Sequence, residues 1–115
     1  MRRGEIRMAN LDPALGTEAS KRRPCIIVSN DGANRVAERL GRGVITVVPV
    51  TTNTARIYPF QVALGSEETG LKKDSKAQAE QVRSIAVQRL GTPVGNLPPQ
   101  LLSQLDEALR VHLGL

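Results

Sequence analysis

The sequence is poor in aromatic rings, with one tyrosine, one phenylalanine and no tryptophan among 115 residues. Tyr58 and Phe60 alone cannot build the multi-ring platforms on which RRM-type proteins stack bases, and two apart on one strand they are expected as core and edge residues. Histidine and cysteine occur once each. His112 has no second histidine with which to share acid and base roles in phosphodiester cleavage, and Cys25 can form no intrachain disulfide. The neighbours Ile26, Ile27 and Val28 predict a buried, unreactive thiol, which suits a reducing cytoplasm. The carboxylates Asp12, Glu18, Asp74 and Glu80 are scattered, without the D-x-D or H-E-x-x-H spacing that gathers ligands round an ion, so no metal is expected. Neither G-x-G-x-x-G nor G-x-x-x-x-G-K-[ST] occurs, and no cofactor is expected. No apolar run is long enough for a membrane span or a secretory signal.

What the chain does have is positive charge. Sixteen Lys and Arg against eleven Asp and Glu give a formal charge of +5. Such an excess attracts phosphate without regard to sequence, which favours a nucleic-acid partner, although a merely soluble basic surface has the same composition. An apolar content of 40% over this length supports one core, hence a single domain over residues 1–115.

Alternation of Ile6 and Met8 with polar residues predicts a strand from Glu5 to Leu11, ended by Asp12-Pro13. Residues 12–23 form a Gly-, Ala- and Ser-containing loop, and loops of this length often carry function. Cys25 to Val28 is apolar enough for a buried strand beginning at Pro24, which places Arg23 where loop meets strand. Asn34 to Leu40 offers a helical turn or two. The β-branched run Val44 to Thr51 is the strongest strand, with Pro49 requiring an edge or a bulge, and it delivers Thr51, Thr52 and Asn53 to a turn. Phe60 to Leu64, Ser75 to Ala77 and Val82 to Ile85 are further strands, with a polar loop from Gly65 to Gly70. After Pro98 and Pro99, apolar positions Leu101, Leu102, Leu105, Ala108 and Leu109 recur at helical spacing, with His112 on the same side. The class is mainly β with an α+β arrangement: a compact barrel or sandwich carrying a C-terminal amphipathic helix.

RNA can be cut without a metal because its own 2′-OH attacks the adjacent phosphate once the developing charge is stabilised. An arginine in Lys21-Arg22-Arg23-Pro24 can fork onto the phosphate oxygens, and Arg23 is the candidate. Thr51 can donate to the same oxygens, and Glu18 can orient a donor or take a proton. DNA lacks the 2′-OH and is expected to resist. Each residue also has a plain structural reading: Arg23 solvating a strand start, Thr51 an ordinary strand residue, Glu18 a solvated loop carboxylate.

Read in order, Gly4-Glu5-Ile6, Leu11-Asp12-Pro13, Gly16-Thr17-Glu18, Arg22-Arg23-Pro24, Val28-Ser29-Asn30 and Val48-Pro49-Val50-Thr51-Thr52 resemble the MazF/PemK toxin family. So do Tyr58-Pro59-Phe60-Gln61-Val62, Ala79-Glu80-Gln81-Val82-Arg83-Ser84-Ile85 and Leu105-Asp106-Glu107-Ala108-Leu109. Blocks such as R-P are common, but their ordered occurrence over nearly the whole chain is specific. The resemblance implies an SH3-like β-barrel of the CcdB/PemK-like kind and a homodimer. It implies a toxin of a toxin–antitoxin system that halts translation by cutting single-stranded RNA at short sequences without metal.

The same resemblance assigns phosphate stabilisation to Arg23 and proton transfer to Thr51, with Glu18 as a third catalytic group. Because arginine stays protonated, electrostatic stabilisation is the stronger reading for Arg23. RNA binding falls to Lys21, Arg22, Thr52, Asn53, Gln81 and Ser84. The implied inhibitor is a cognate MazE-like antitoxin whose partly acidic segment lies across the RNA groove. Arg7 departs from the pattern, since that position is usually aromatic in relatives. Two alternatives stay open: a non-catalytic binder on the same barrel, like relatives that poison DNA gyrase, and an inactivated family member.

Overall fold

The computed structural model describes residues Met1–Leu115. Strand β1 spans Glu5–Asn10 and β2 Arg22–Ile27; helix α1 covers Asp31–Leu40 and β3 Val44–Thr51. Then come β4 (Gln61–Leu64), the short helix α2 (Ser66–Thr69), β5 (Ser75–Gln78), β6 (Arg83–Ala86), β7 (Leu90–Asn96) and helix α3 (Pro99–Leu113). A 3-10 turn at Ala79–Gln81 joins β5 to β6, and another spans Val87–Arg89. No helix is long and apolar enough to cross a membrane.

All strand pairs are antiparallel, in the order β4-β5-β3-β2-β1-β7, with β6 also on β3. The sheet has the expected CcdB/PemK-like form, but it is not closed, because edge strands β4 and β7 do not pair with each other. Segment 69–70, at the end of α2, fills part of the gap: Gly70 lies against Gly95 of β7. Helix α3 covers one face, burying Leu101, Leu105 and Ala108 against Ile6, Ile26, Val48, Val62 and Leu64. The other face carries a second cluster, in which Ala37 of α1 and Ala19 of the 11–21 loop cover Cys25, Ile27, Val47 and Ile85.

Strand β3 is the organising element. On one side it pairs with β2; on the other it pairs with β6 over Val44–Val47 and with β5 over Val50–Thr51. Pro49 falls in the interval where the partner chain leaves the ladder for the Ala79–Gln81 turn. The missing proline N–H therefore costs no sheet hydrogen bond, so Pro49 is tolerated in a central strand by a bulge in its neighbour.

Several sequence expectations change. Helix α1 starts three residues earlier than Asn34, because the Asn30 side chain accepts from Ala33 N at 2.8 Å as an N-cap, and Gly41 ends it in the left-handed region. The polar loop at residues 65–70 contains α2, one helical turn bonded from Gly70 N to Ser66 O. Strand β2 begins at Arg22, so Arg23 lies within the strand, opposite Ala9, rather than at its threshold. Strand β7 has no counterpart among the sequence expectations: its Gly91, Pro93 and Gly95 read as breakers, and its pairing with β1 carries two register shifts. His112 is exposed in the last turn of α3 rather than packed on the sheet, since the helix outruns the surface it covers. Tyr58 and Phe60 precede β4 in a turn, so they do not share a strand.

Candidate active site

Strands β2 and β3 are registered as Cys25 with Pro49, Ile26 with Val48 and Ile27 with Val47. Side chains alternate along a strand, so Arg23, Cys25 and Ile27 share one face with Val47, Pro49 and Thr51. Continuing the register two residues past the last ladder pair sets Arg23 opposite Thr51. The two leading candidates thus stand at neighbouring ends of adjacent strands, on one face. This proximity follows from sheet periodicity and from no local sequence signal.

The loop between β1 and β2 covers that face. Its ends are joined by Leu11 N donating to Lys21 O at 3.0 Å and Lys21 N donating to Asp12 Oδ1 at 2.8 Å. Lys21 adopts φ 64, a strained conformation for a residue with a side chain, and is exposed. Its role here is to turn the loop into β2. Arg89 donates to the carbonyls of Asn10 (3.1 Å) and Asp12 (2.6 Å), and Arg83 donates to Leu11 O at 3.3 Å. Gln81 holds the middle of the loop through Thr17 and Ala19. Arg23 Nε donates to Ser20 O at 2.8 Å, which fixes the guanidinium beside the segment that carries Glu18.

Glu18 is exposed and, with Glu80, Gln81 and Arg83, lines an open cavity of about 400 Å³. None of the four ion pairs in the structure involves Glu18, Arg23 or Arg83, so both guanidinium groups retain uncommitted donors. Their field is felt at Cys25. Burial pushes its thiol up to about 12, while the charges of Arg23 and Arg83 oppose that rise. Arg83 pairs with Val47 and therefore lies on the same face as Arg23. Sequence reasoning passed over it, although its place two residues beyond Gln81 in a strand was a usable signal.

The remaining candidates divide. Gln81 belongs to this face, but its carboxamide is engaged by the loop. Asn53 caps the turn after β3: Ala55 N donates to Asn53 Oδ1 at 3.4 Å, and Asn53 N donates to Thr51 Oγ1 at 3.2 Å. Thr52 lies beside a separate cavity of about 620 Å³, floored by Met8, Pro24 and Leu71 and rimmed by Lys72 and Lys73. Arg22 is exposed, and its guanidinium lies across Gly91 of β7. Ser84 pairs with Thr46, one step out of phase with Arg83, so it is exposed on the face opposite Arg23. The structure therefore gathers Arg23, Gln81 and the Glu18 loop, sets Thr51 on the same sheet face by register, and does not gather Ser84 or Thr52 with them.

Arg7, where relatives usually have an aromatic residue, pairs with Glu5 (Nε to Oε1 2.5 Å) and donates to Gly91 O at 3.4 Å. Its charge is engaged at the β1–β7 seam rather than offered to a phosphate.

Comparison with known proteins agrees with the fold. The chain is 62% identical over 115 residues to endoribonuclease MazF9 of Mycobacterium tuberculosis, covering all of this chain and 98% of that one. Among solved structures, MazF from Deinococcus radiodurans superposes with a TM-score of 0.81 at 26% identity, over 100% of this chain and 97% of that one. A MazE–MazF crystal structure from the same organism gives 0.74 at 26% identity, over 100% and 97%. The family model for the PemK-like, MazF-like toxin of type II toxin–antitoxin systems matches residues 2–113, and the chain belongs to that family.

Proposed function

We propose that this chain is a toxin endoribonuclease that cuts single-stranded RNA at short sequences, without a metal, and so stops translation. What supports this reading most is the β2–β3 register, which when continued sets Arg23 and Thr51 on one face, together with the loop that brings Glu18 to the cavity lined by Arg83. In the reaction the 2′-OH gives up its proton as its oxygen bonds to the adjacent phosphorus. The bond from phosphorus to the 5′ oxygen then breaks, and that oxygen takes a proton. The products are a 2′,3′-cyclic phosphate and a 5′-hydroxyl end.

Arg23 holds the two phosphate oxygens on which charge accumulates, a role for a forked, permanently charged donor. Thr51 donates to the same oxygens, and Glu18 takes the 2′-OH proton or orients the group that does. Lys21 and Arg22 attract the flanking backbone. The name of the 62% identical relative supports the reaction class. The MazE–MazF neighbour supports a cognate antitoxin as inhibitor, with its acidic segment competing for the same basic groove. Residues 1–115 act as one domain, in a homodimer, in the cytoplasm where RNA is translated.

Incubating the purified protein with a long single-stranded RNA in EDTA tests the reading. Discrete fragments with cyclic phosphate ends are expected from the native chain, and their loss from folded Arg23→Ala and Thr51→Ala. Intact RNA with the native chain, or fragments that persist in both variants, overturns it.

A further inference from the structure

The only two aromatic residues among Phe, Tyr and Trp are absent from both core clusters. Tyr58 and Phe60 instead stack on each other in the turn before β4, ring centroids 5.2 Å apart and planes 2° from parallel, with Tyr58 40% exposed. Large rings normally contribute most when buried, so a chain this short of them would be expected to place them in its core. Here the core is aliphatic and the rings sit at the surface.

Two cations frame the stack. The Arg56 guanidinium carbon lies 5.5 Å from the Tyr58 ring centroid, with Nη1 donating to the Tyr58 hydroxyl at 3.3 Å. Lys76 Nζ lies 5.9 Å from the same centroid and donates to Arg56 O at 2.7 Å. Lys76 is the ladder partner of Thr51, so both side chains leave the sheet on the same face. The stack is anchored as well as exposed: Tyr58 N donates to Gln61 Oε1 at 3.1 Å, and Gln61 Nε2 donates to Glu80 Oε2 at 2.7 Å. Glu80 in turn lines the cavity shared by Glu18 and Arg83.

We propose that the Tyr58–Phe60 stack, framed by Arg56 and Lys76, is the specificity-determining seat for one unpaired base of the substrate strand, close to the phosphate held at Arg23 and Thr51. A ring already stacked on one face is rigid, so a base landing on Tyr58 loses little to ordering of the protein, and Arg56, exposed, can cap the base or move to its phosphate. Bracing the turn accounts for Lys76, which is buried and bonded to Arg56 O, but not for the exposure of Tyr58 or for the exposed Arg56 guanidinium beside its ring. This inference rests on the endoribonuclease reading and names a substrate contact within it.

Tyr58 is the only tyrosine, so 3-fluorotyrosine incorporated in its place gives a single fluorine NMR signal from this site. The probe is a labelled single-stranded RNA spanning a mapped cut site, made uncleavable by 2′-O-methylation, with binding followed separately by anisotropy. On saturation the fluorine signal is expected to shift upfield, and the shift to vanish when one particular base, and no other, is made abasic. In parallel, cleavage by Tyr58→Leu is expected to lose about 5- to 150-fold in kcat/KM, mostly through KM, with Tyr58→Phe retaining it. The abasic change should then cost Tyr58→Leu nothing further. Saturated binding with an unmoved signal, or abasic penalties unchanged in Tyr58→Leu at every position, overturns the proposal while leaving the enzyme reading intact. Absence of binding overturns the proposal alone, whereas RNA left intact by the native chain in the cleavage assay overturns both. If Tyr58→Leu does not fold, the fluorine arm decides on the native chain.

Discussion

Gln81 holds Ala19 by accepting its main-chain N–H at Oε1, 2.9 Å away, while its Nε2 donates to Thr17 O at 3.0 Å. The two bonds straddle Glu18, so a residue expected to touch RNA positions the loop that carries a candidate catalytic carboxylate. Glu18 has no side-chain hydrogen bond of its own to fix it, and the clamp holds it from the backbone.

Gln81→Ala removes both bonds, and each is worth about 0.5–1.5 kcal/mol net. Global stability should fall only slightly, because the loop lies outside the strand ladders. Local opening should rise: the Ala19 amide is expected to exchange about tenfold faster or more in hydrogen-exchange measurements, and RNA cleavage to drop with kcat more than KM. Gln81→Glu keeps the acceptor for Ala19 and loses the donor to Thr17, so it should fall between. An Ala19 amide as protected in Gln81→Ala as in the native chain would show that other contacts hold the loop.

Arg23→Lys separates charge from shape. The ammonium keeps the positive field but cannot fork onto two phosphate oxygens or retain the planar Nε bond to Ser20 O. If Arg23 stabilises the transition state, kcat should fall about 10²- to 10³-fold with KM little changed. A variant that cuts RNA at the native rate would reduce Arg23 to a general attractor of backbone charge.

The strands and the terminal helix were legible because their information is local. Val44 to Thr51 is dense in β-branched residues, and Leu101, Leu105 and Ala108 recur at helical spacing. Strand β7 was not, since Gly91, Pro93 and Gly95 break every local rule and its existence depends on β1 having an unpaired edge. At the site, Arg23 and Thr51 were readable as residue types at a strand start and a strand end, and the resemblance singled them out. Their adjacency was not readable, because it depends on the β2–β3 register. Arg83 had a signal in its strand position beyond Gln81, but the loop-bound role of Gln81 is tertiary: alternation tells which face a residue takes, not what occupies that face.

Gly95 is required by contact rather than by backbone conformation. A Cβ there would run into the Thr69 carbonyl oxygen of the segment that fills the gap between the sheet edges. Neither backbone can retreat without breaking β7 pairing or α2, so Gly95→Ala should cost about 1–3 kcal/mol in denaturant unfolding. Gly16→Ala is the control for conformation alone. It has φ +61, and an added methyl carbon would meet nothing within 4 Å, so the left-handed backbone accounts for its whole cost, about 1–2 kcal/mol. Gly95→Ala with native stability would mean that segment 69–70 is free to shift.

Cys25 lies next to the arginine pair yet is no nucleophile. Its folded-state value, pushed up to about 12 from an ordinary 9.0 by burial, leaves the thiol protonated at every pH where the protein would work. Ellman's reagent at pH 8 is therefore expected to leave the folded chain almost unlabelled and to label it promptly in guanidinium chloride. The linkage has a definite sign. Below about pH 9 the thiol is neutral whether folded or unfolded, and burial costs nothing electrostatic. Above it the unfolded chain releases the proton and the folded chain does not, so stability falls as pH rises toward 12. The stability advantage of native protein over Cys25→Ala should accordingly shrink between pH 9 and 11. Rapid labelling of the folded chain, or a difference between the two that is constant across that range, would mean that the thiol is not sealed beneath Ala19.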